Sequence, residues 1–366
     1  MNDASVYGRL ADWLITTFRA QPGVKSPELM EILYFQYTPE EARLALKMGP
    51  EGGKIDELIE KTGTRKDKLL SLIESMEKKG TVYREPGRED PLYKPIGMEA
   101  LGIIETASWG DNSTPFKKRL NELWHKFRPI YVNEGIAELG KTGMLWCHVD
   151  VLPEDATPEE NLFEQIRAVH DQGVSIAVSG CPCRIIDKHG VDSDASCDCI
   201  VECCFSFGDM ASWAVENHWA RPVTLDECFD IIRKCHEKGQ VNTGGPNLIV
   251  CNCCKHACIN FFAMKFGKDH IYFNNHFYAE ADPEKCVSCG TCAERCFVDA
   301  IRLDPVAVMD TEKCLGCGAC ASGCPENAVR MIRKSEEAIA KLDAELMNGL
   351  VTAFSKSAPN WNFELP

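Results

Sequence analysis

Apolar residues recur at helical spacing from Val6 to Phe18, and the pattern ends at the break Gln21-Pro22-Gly23. Thr38-Pro39-Glu40-Glu41 reads as a helix start, with a hydroxyl cap, Pro at the first position and acids in the first turn. Ile55, Leu58 and Ile59 then mark one helical face. Beyond a turn at Gly63, Leu69, Leu72, Ile73 and Met76 mark another. Residues 81–97 alternate on both sides of Pro86-Gly87, as a two-stranded ribbon does. Helix, turn, helix and ribbon in that order predict a winged-helix unit over residues 26–107, preceded by an N-terminal helix in residues 1–25.

From residue 108 the pattern becomes mixed. A helix is predicted over 114–127, a strand over 144–152 holding Cys147 and His148, and a capped helix over 156–173 closed by Gly173. A short buried strand, 174–180, delivers the chain to Cys181. Helices follow at 207–218 and at 224–239, the second opened by Thr224 and Glu227 and ended by Gly239. Residues 246–254 form a further buried strand. Cys228 and Cys235 lie seven apart on the 224–239 helix, hence on one face, and read as core packing. His148 reads as a satisfied structural group. The chain closes on an Ala- and Glu-rich helix within 334–366. The fold class expected is α+β and multidomain: an N-terminal winged helix, a central α/β cysteine-rich domain over 108–275, and a C-terminal unit over 276–333.

That C-terminal unit carries the sharpest pattern. Cys286-x-x-Cys289-x-x-Cys292-x-x-x-Cys296 repeats 28 residues later as Cys314-x-x-Cys317-x-x-Cys320-x-x-x-Cys324-Pro325. The spacing resembles that of a bacterial-type two-cluster ferredoxin, in which three thiolates from one loop converge on a cube and the fourth Cys crosses to the other. One [4Fe-4S] cluster is therefore expected on Cys286, Cys289, Cys292 and Cys324, and a second on Cys314, Cys317, Cys320 and Cys296. Gly290, Gly316 and Gly318 give the backbone room to approach. Phe297 stands where Pro usually follows the first run. Paired Cys₄ zinc sites are the alternative, but zinc ribbons do not interleave three-plus-one.

The chain has 21 cysteines in 366 residues. With no run of eighteen apolar residues and no basic-then-apolar leader, the expected compartment is cytoplasmic, where such cysteines are ligands and not disulfides. A net charge of −15 disfavours nucleic acid as a partner and suits docking on basic patches of redox proteins. Residues 26–107 are themselves acidic, 12 Lys and Arg against 16 Asp and Glu, although Arg65, Lys66 and Lys68 stand where a recognition helix would begin.

A second field of cysteines occupies residues 181–258: Cys181, Cys183, Cys197, Cys199, Cys203, Cys204, Cys251, Cys253, Cys254 and Cys258. Cys181-Pro182-Cys183, Cys197-Asp198-Cys199 and Cys251-Asn252-Cys253 each put two thiols on one side if extended. Arg184 beside the first pair would stabilise thiolate and raise a cluster's potential, which makes it a cofactor-binding candidate. Iron–sulfur, zinc and a redox-active thiol group all remain open for this field. The first proposal is one [4Fe-4S] cluster on Cys181, Cys183, Cys197 and Cys204, with Cys204 opening a helix whose N-terminus faces the cluster. Cys199 and Cys203 would then be spare, or ligands of a second centre with Cys251, Cys253, Cys254 and Cys258.

The order of these segments, from winged helix through "CPCR", "CDCIVECCFSFG" and "CNCCKHAC" to the two ferredoxin runs, resembles a family of anaerobe 4Fe-4S dicluster proteins with an N-terminal winged helix. The likeness spans Leu10 to about Arg333. Its members carry a CxCR pair, a Cys seven residues before the Cys of a CLxFG motif, and a final CNCC run rich in Cys. Here Lys255, His256 and Ala257 depart from that last run. The resemblance implies a redox protein with extra metal centres. The function expected is electron transfer, as an iron–sulfur protein or a subunit of an anaerobic oxidoreductase, passing single electrons through two ferredoxin-type clusters to one or two further centres. The alternatives are a reductase with a substrate-binding central cluster and a redox-sensing DNA-binding regulator. A dehydrogenase or reductase is the expected redox partner, with a homo-oligomer formed through the winged helix and neither membrane span nor nucleic acid.

Overall fold

The computed structural model describes residues 3–17, 25–96, 113–130, 132, 143–188, 198–245, 249–262, 264 and 275–356. Its N-terminal part is helical: α1 (Asp3–Thr17), α2 (Pro27–Gln36), α3 (Pro39–Met48), α4 (Ile55–Thr62) and α5 (Lys66–Lys78). A ribbon of β1 (Val82–Arg84) and antiparallel β2 (Tyr93–Pro95) follows, then α6 (Pro115–Ile130). Thr38 caps α3 as its sequence predicts: its Oγ1 accepts from the Glu41 N–H at 3.2 Å, and Glu41 Oε2 accepts from the Thr38 N–H at 2.7 Å. The same buried carboxylate accepts from Lys79 Nζ and from Ser75 Oγ, both at 2.7 Å, so the cap of α3 also ties down α5.

The central part is built on a six-stranded sheet: β3 (Met144–Trp146), β4 (Ile176–Gly180), β5 (Glu202–Phe207), β6 (Ala220–Pro222), β7 (Val241–Gly245) and β8 (Ile249–Cys253). The order is β3-β7-β8-β5-β4-β6, and each adjacent pair is antiparallel. Helices α7 (Leu162–Asp171), α8 (Pro182–Lys188), α9 (Gly208–Glu216), α10 (Leu225–Glu237) and α11 (Ile259–Phe262) lie between and after these strands. The sheet packs Val178, Phe205 and Phe207 against Phe163, Phe229 and Ile232, with the rings of Phe163 and Phe229 stacked at 4.0 Å.

The N-terminal helices do not keep a core to themselves. Leu10, Leu33, Leu58 and Met76 belong to one buried cluster with Trp213, Trp219 and Ile259 of the central part. Tyr83 of the ribbon meets Trp213 edge-on at 5.2 Å, and Arg84 pairs with Glu216 at 2.8 Å.

In the C-terminal part, β9 (Phe277–Ala281) leads to α12 (Thr291–Arg295), the hairpin β10 (Ile301–Leu303) and β11 (Ala307–Met309), α13 (Ala319–Ser322), β12 (Val329–Arg333) and the long α14 (Glu336–Lys356). Strands β9 and β12 pair antiparallel. Each short helix follows a glycine in the left-handed conformation, Gly290 and Gly318. At Gly316 (φ +80°) a Cβ would meet Asn275 Oδ1 at 1.8 Å, so only glycine allows that approach.

Three local expectations are corrected. The strand at 144–152 ends at Trp146: Cys147 lies beyond it, and His148 precedes a 3₁₀ turn, Val149–Val151. Cys183 is not extended beside Cys181, because Pro182 starts α8, where its missing N–H costs nothing. Cys204 does not open a helix: it lies within β5, and α9 begins only at Gly208. The strand runs on through Phe205, Ser206 and Phe207 before that helix begins. Among the described residues no helix is long and apolar enough to cross a membrane.

Candidate metal centres

Two hollows open in the C-terminal part. One, of about 410 Å³, is lined by Cys296, Cys314, Cys317 and Cys320 among apolar side chains such as Phe297, Leu315 and Met331. The other, of about 340 Å³, is lined by Cys286, Cys289, Cys292 and Cys324. Each hollow thus takes three cysteines from one run and the last from the other. Backbone N–H groups point at the sulfurs: Ala300 at Cys296 (3.2 Å), Ala328 at Cys324 (3.2 Å) and Ala307 at Cys286 (3.4 Å). Such donors stabilise anionic sulfur, and four thiols around one hollow fit a cluster's ligand demand. The two surroundings differ. Burial pushes the Cys317 thiol up to about 12, whereas Cys289 is exposed and the hydroxyl and backbone of Thr291 lower its thiol.

The central thiols converge where β4, β5, β8, α8 and the turn after β8 meet. Cys181 lies within hydrogen-bonding reach of Cys183 and Cys204. Cys183 reaches Cys258, and Cys258 Sγ lies 3.4 Å from Cys253 Sγ. Cys253 reaches Cys251, and Cys251 reaches Cys204. The six sulfurs of Cys181, Cys183, Cys258, Cys253, Cys251 and Cys204 therefore close a ring. The two proposed groups of four are regrouped here: Cys181, Cys183 and Cys204 share a ring with Cys251, Cys253 and Cys258, because β5 and β8 are sheet neighbours. Cys197 lies outside the described residues. Cys254 stands apart, hydrogen-bonded to Cys199, and that contact holds its thiol at about 5 against the cost of burial.

Two residues escaped the sequence reading. Cys235 is not plain core packing: it faces the thiols, within reach of Cys203, while Cys228 packs among Val178, Phe205 and Phe229 as expected. His256, read as a mere departure from a motif, lies with Cys199 and Cys254, the three donor atoms all within 4.8 Å of one another. Only the seven-residue spacing on α10 and the Cys-x-His pair could have signalled either.

Arg184 is the electrostatic centre of the field. It is 1% exposed, and its Nη1 donates to Cys203 Sγ at 3.2 Å and its Nη2 to the Asn252 carbonyl. Among the described residues it makes no ion pair with a carboxylate. Burial works against its charge, but Cys181, Cys203, Cys254 and Cys204 more than offset that. In turn Cys181 is held well below the usual thiol range, by Cys183 and Cys204 first and then by Arg184. A buried guanidinium needs compensating negative charge, and here sulfur is the group placed to supply it.

The 4Fe-4S binding domain family matches residues 279–302 and 307–330. Residues 279–330 form an iron–sulfur cluster-binding unit. No curated protein and no solved structure matches the chain.

This 4Fe-4S unit docks on the central part through the hollow of Cys296, Cys314, Cys317 and Cys320, which is thus the inner of the two. Phe297 of that hollow packs on Phe261 of α11, centroids 4.7 Å apart, in one cluster with Leu145, Cys253, Cys258 and Leu315. The Pro-to-Phe departure thus serves docking. The His148 N–H donates to the Cys317 carbonyl at 3.0 Å. Its ring joins Ser322 Oγ and the Gln240 carbonyl, both at 2.8 Å, and the Gln240 amide approaches Cys203 Sγ at 3.6 Å. A short polar route therefore runs from the inner hollow to the central thiols. His148 is structural, as expected, and the structure it supports is this joint.

Proposed function

We propose that this chain is an electron-transfer iron–sulfur protein that carries single electrons between a partner and a centre in its central part. The outer cluster, on Cys286, Cys289, Cys292 and Cys324, exchanges electrons with the partner. The inner cluster, on Cys296, Cys314, Cys317 and Cys320, relays them to a centre held by the thiol ring. The observation that carries this reading is the contrast between the two hollows. The outer has exposed Cys289 and Val287 at its rim, and the inner is packed by Phe297 against α11, which Cys258 immediately precedes. When bound, iron–sulfur clusters supply one-electron chemistry. This chain's residues supply the ligands, the N–H donors to sulfur and the buried Arg184 that offsets anionic charge. The expected partner is a dehydrogenase or reductase met through an acidic surface, and the expected setting is a cytoplasm that keeps thiols reduced.

The N-terminal helices and ribbon read as a winged helix that makes protein contacts, including self-association, and does not read DNA. Each basic residue at the start of α5 is already paired: Arg65 with Asp67, Lys66 with Asp56 and Lys68 with Glu40. Phosphate contacts would have to displace those carboxylates.

The deciding experiment is iron per chain with EPR of the anaerobically reduced full-length protein. The C-terminal unit alone gives about eight iron atoms, and a filled central ring adds about four or more. A count of eight with no further paramagnetic signal overturns the relay.

A further inference from the structure

We propose that Cys199, Cys254 and His256 form a separate site for one divalent transition-metal ion, zinc by preference, with its fourth position open. Electron relay does not require this site, and nothing in the 4Fe-4S match reaches it.

The geometry selects a single ion. The two sulfurs and the imidazole nitrogen all lie within 4.8 Å of one another. A tetrahedral zinc with bonds of roughly 2.0–2.3 Å gathers its ligands to within roughly 4 Å of each other, a small inward adjustment from this arrangement. The site's three donor atoms are also one short of the four cysteines that each C-terminal hollow offers a cluster. Two thiolates and one imidazole are also a donor set that suits zinc, and they balance its charge.

The three ligands are positioned by their neighbours. Asp198 accepts from Lys238 Nζ at 2.6 Å, and the Ile200 N–H donates to Gln240 Oε1 at 2.7 Å. Cys199 is thus pinned on both sides to the C-terminal end of α10. Cys254 follows β8 directly, and residues 255–257 turn so that His256 comes back over it. Lys255 donates to the Glu294 carbonyl of the 4Fe-4S unit, which fixes that turn from outside. Cys254 is buried and His256 exposed, so the site spans the surface and its open position is accessible to water or a small ligand. Three protein ligands with an open position are the arrangement of a Lewis-acid site, not of a closed structural one.

The test uses the anaerobically purified full-length protein, with zinc and iron counted together and cobalt(II) as the optical probe. One zinc per chain is expected beside the iron. Cobalt exchanged into the site should show sulfur-to-cobalt charge transfer and tetrahedral d–d bands. His256→Ala changes an exposed side chain, so folding is retained; it should weaken cobalt binding at least about tenfold and remove the zinc, with iron count and EPR unchanged. Cys254→Ser should do the same. If His256→Ala instead lowers iron and erases a central cluster signal, His256 is a cluster ligand and the proposal fails. If wild-type protein holds no zinc and shows no thiolate–cobalt band, it also fails. Absence of central iron with zinc retained would overturn the relay and leave this site standing.

Discussion

His148 and His236 stack face to face, with ring centroids 3.8 Å apart and planes 9° from parallel. Both are buried, at the seam between the central sheet and the 4Fe-4S unit. Burial, with His236 and Arg295 nearby, holds His148 well below the ordinary imidazole range. It is therefore neutral, its Nε2–H donating to the Gln240 carbonyl and its Nδ1 accepting from the Ser322 hydroxyl.

His148→Phe keeps an aromatic ring in the stack and removes both hydrogen bonds. It takes a donor from the buried Gln240 carbonyl, at a cost of about 1–3 kcal/mol, while the half-buried Ser322 hydroxyl keeps its bond to the Ala319 carbonyl. The C-terminal clusters should keep their EPR signals, while electron transfer from them to the central centre slows about tenfold or more. Stopped-flow spectroscopy after rapid reduction reads that rate, and an unchanged rate would remove the joint from the electron route.

Cys296→Ser should cost about four iron atoms from the inner cluster, not from the outer one nearer in sequence. The reason is the crossover: Cys296 lines the hollow of Cys314, Cys317 and Cys320. Iron analysis with EPR distinguishes the two, since the outer cluster is the one a solvent-borne relaxing agent reaches.

Arg184→Met fills the same space without the charge. The central centre should become harder to reduce, its potential falling by on the order of 60 mV, a tenfold change for a one-electron couple. The two C-terminal potentials should stay within error, because Arg184 faces Cys203 and Cys181. A redox titration followed by EPR measures all of them.

Glu41 gives the pH dependence. Burial would raise its carboxyl, but Lys79, the Thr38 N–H and Ser75 outweigh that and lower it. A carboxylate lowered on folding adds stability that is complete above its unfolded pKa, about 4.3, and fades as pH falls through the folded value. Urea midpoints should therefore drop below about pH 4. In Glu41→Ala they should be lower at pH 7 by the equivalent of about 3 kcal/mol, and flatter with acid.

Trp213→Ala tests whether the N-terminal helices are independent. Trp213 is 1% exposed and packs on Tyr83 and Trp219, 5.2 and 5.0 Å away. The loss should be about 3–5 kcal/mol and should move the helices and the sheet together in one transition. Two separated transitions would show that the shared core does not couple them.

What the sequence disclosed follows the range of each interaction. The cap at Thr38 and Glu41 was legible because both partners lie within one turn. The two cysteine runs were legible because a tight loop does most of the gathering. Cys183 was misplaced because Pro182 suits an extended chain and a first helical turn equally well. The pairing of Cys235 with Cys203 depends on how α10 lies on β5, which no local pattern encodes. His256 was discounted because it broke a run of cysteines, although imidazole beside two thiols is itself a ligand set.

Phe297 carries a consequence of another kind. Residues 286–296 and 314–324 are two copies of one pattern, and a freestanding pair would present two interchangeable faces to any collision. Phe297 directly follows the first copy, where Pro325 follows the second, and it seats that end against Phe261. Twofold pseudosymmetry is thereby broken, with the His148 N–H on the Cys317 carbonyl acting in the same sense. A device that could have conducted equally from either end acquires a front and a back.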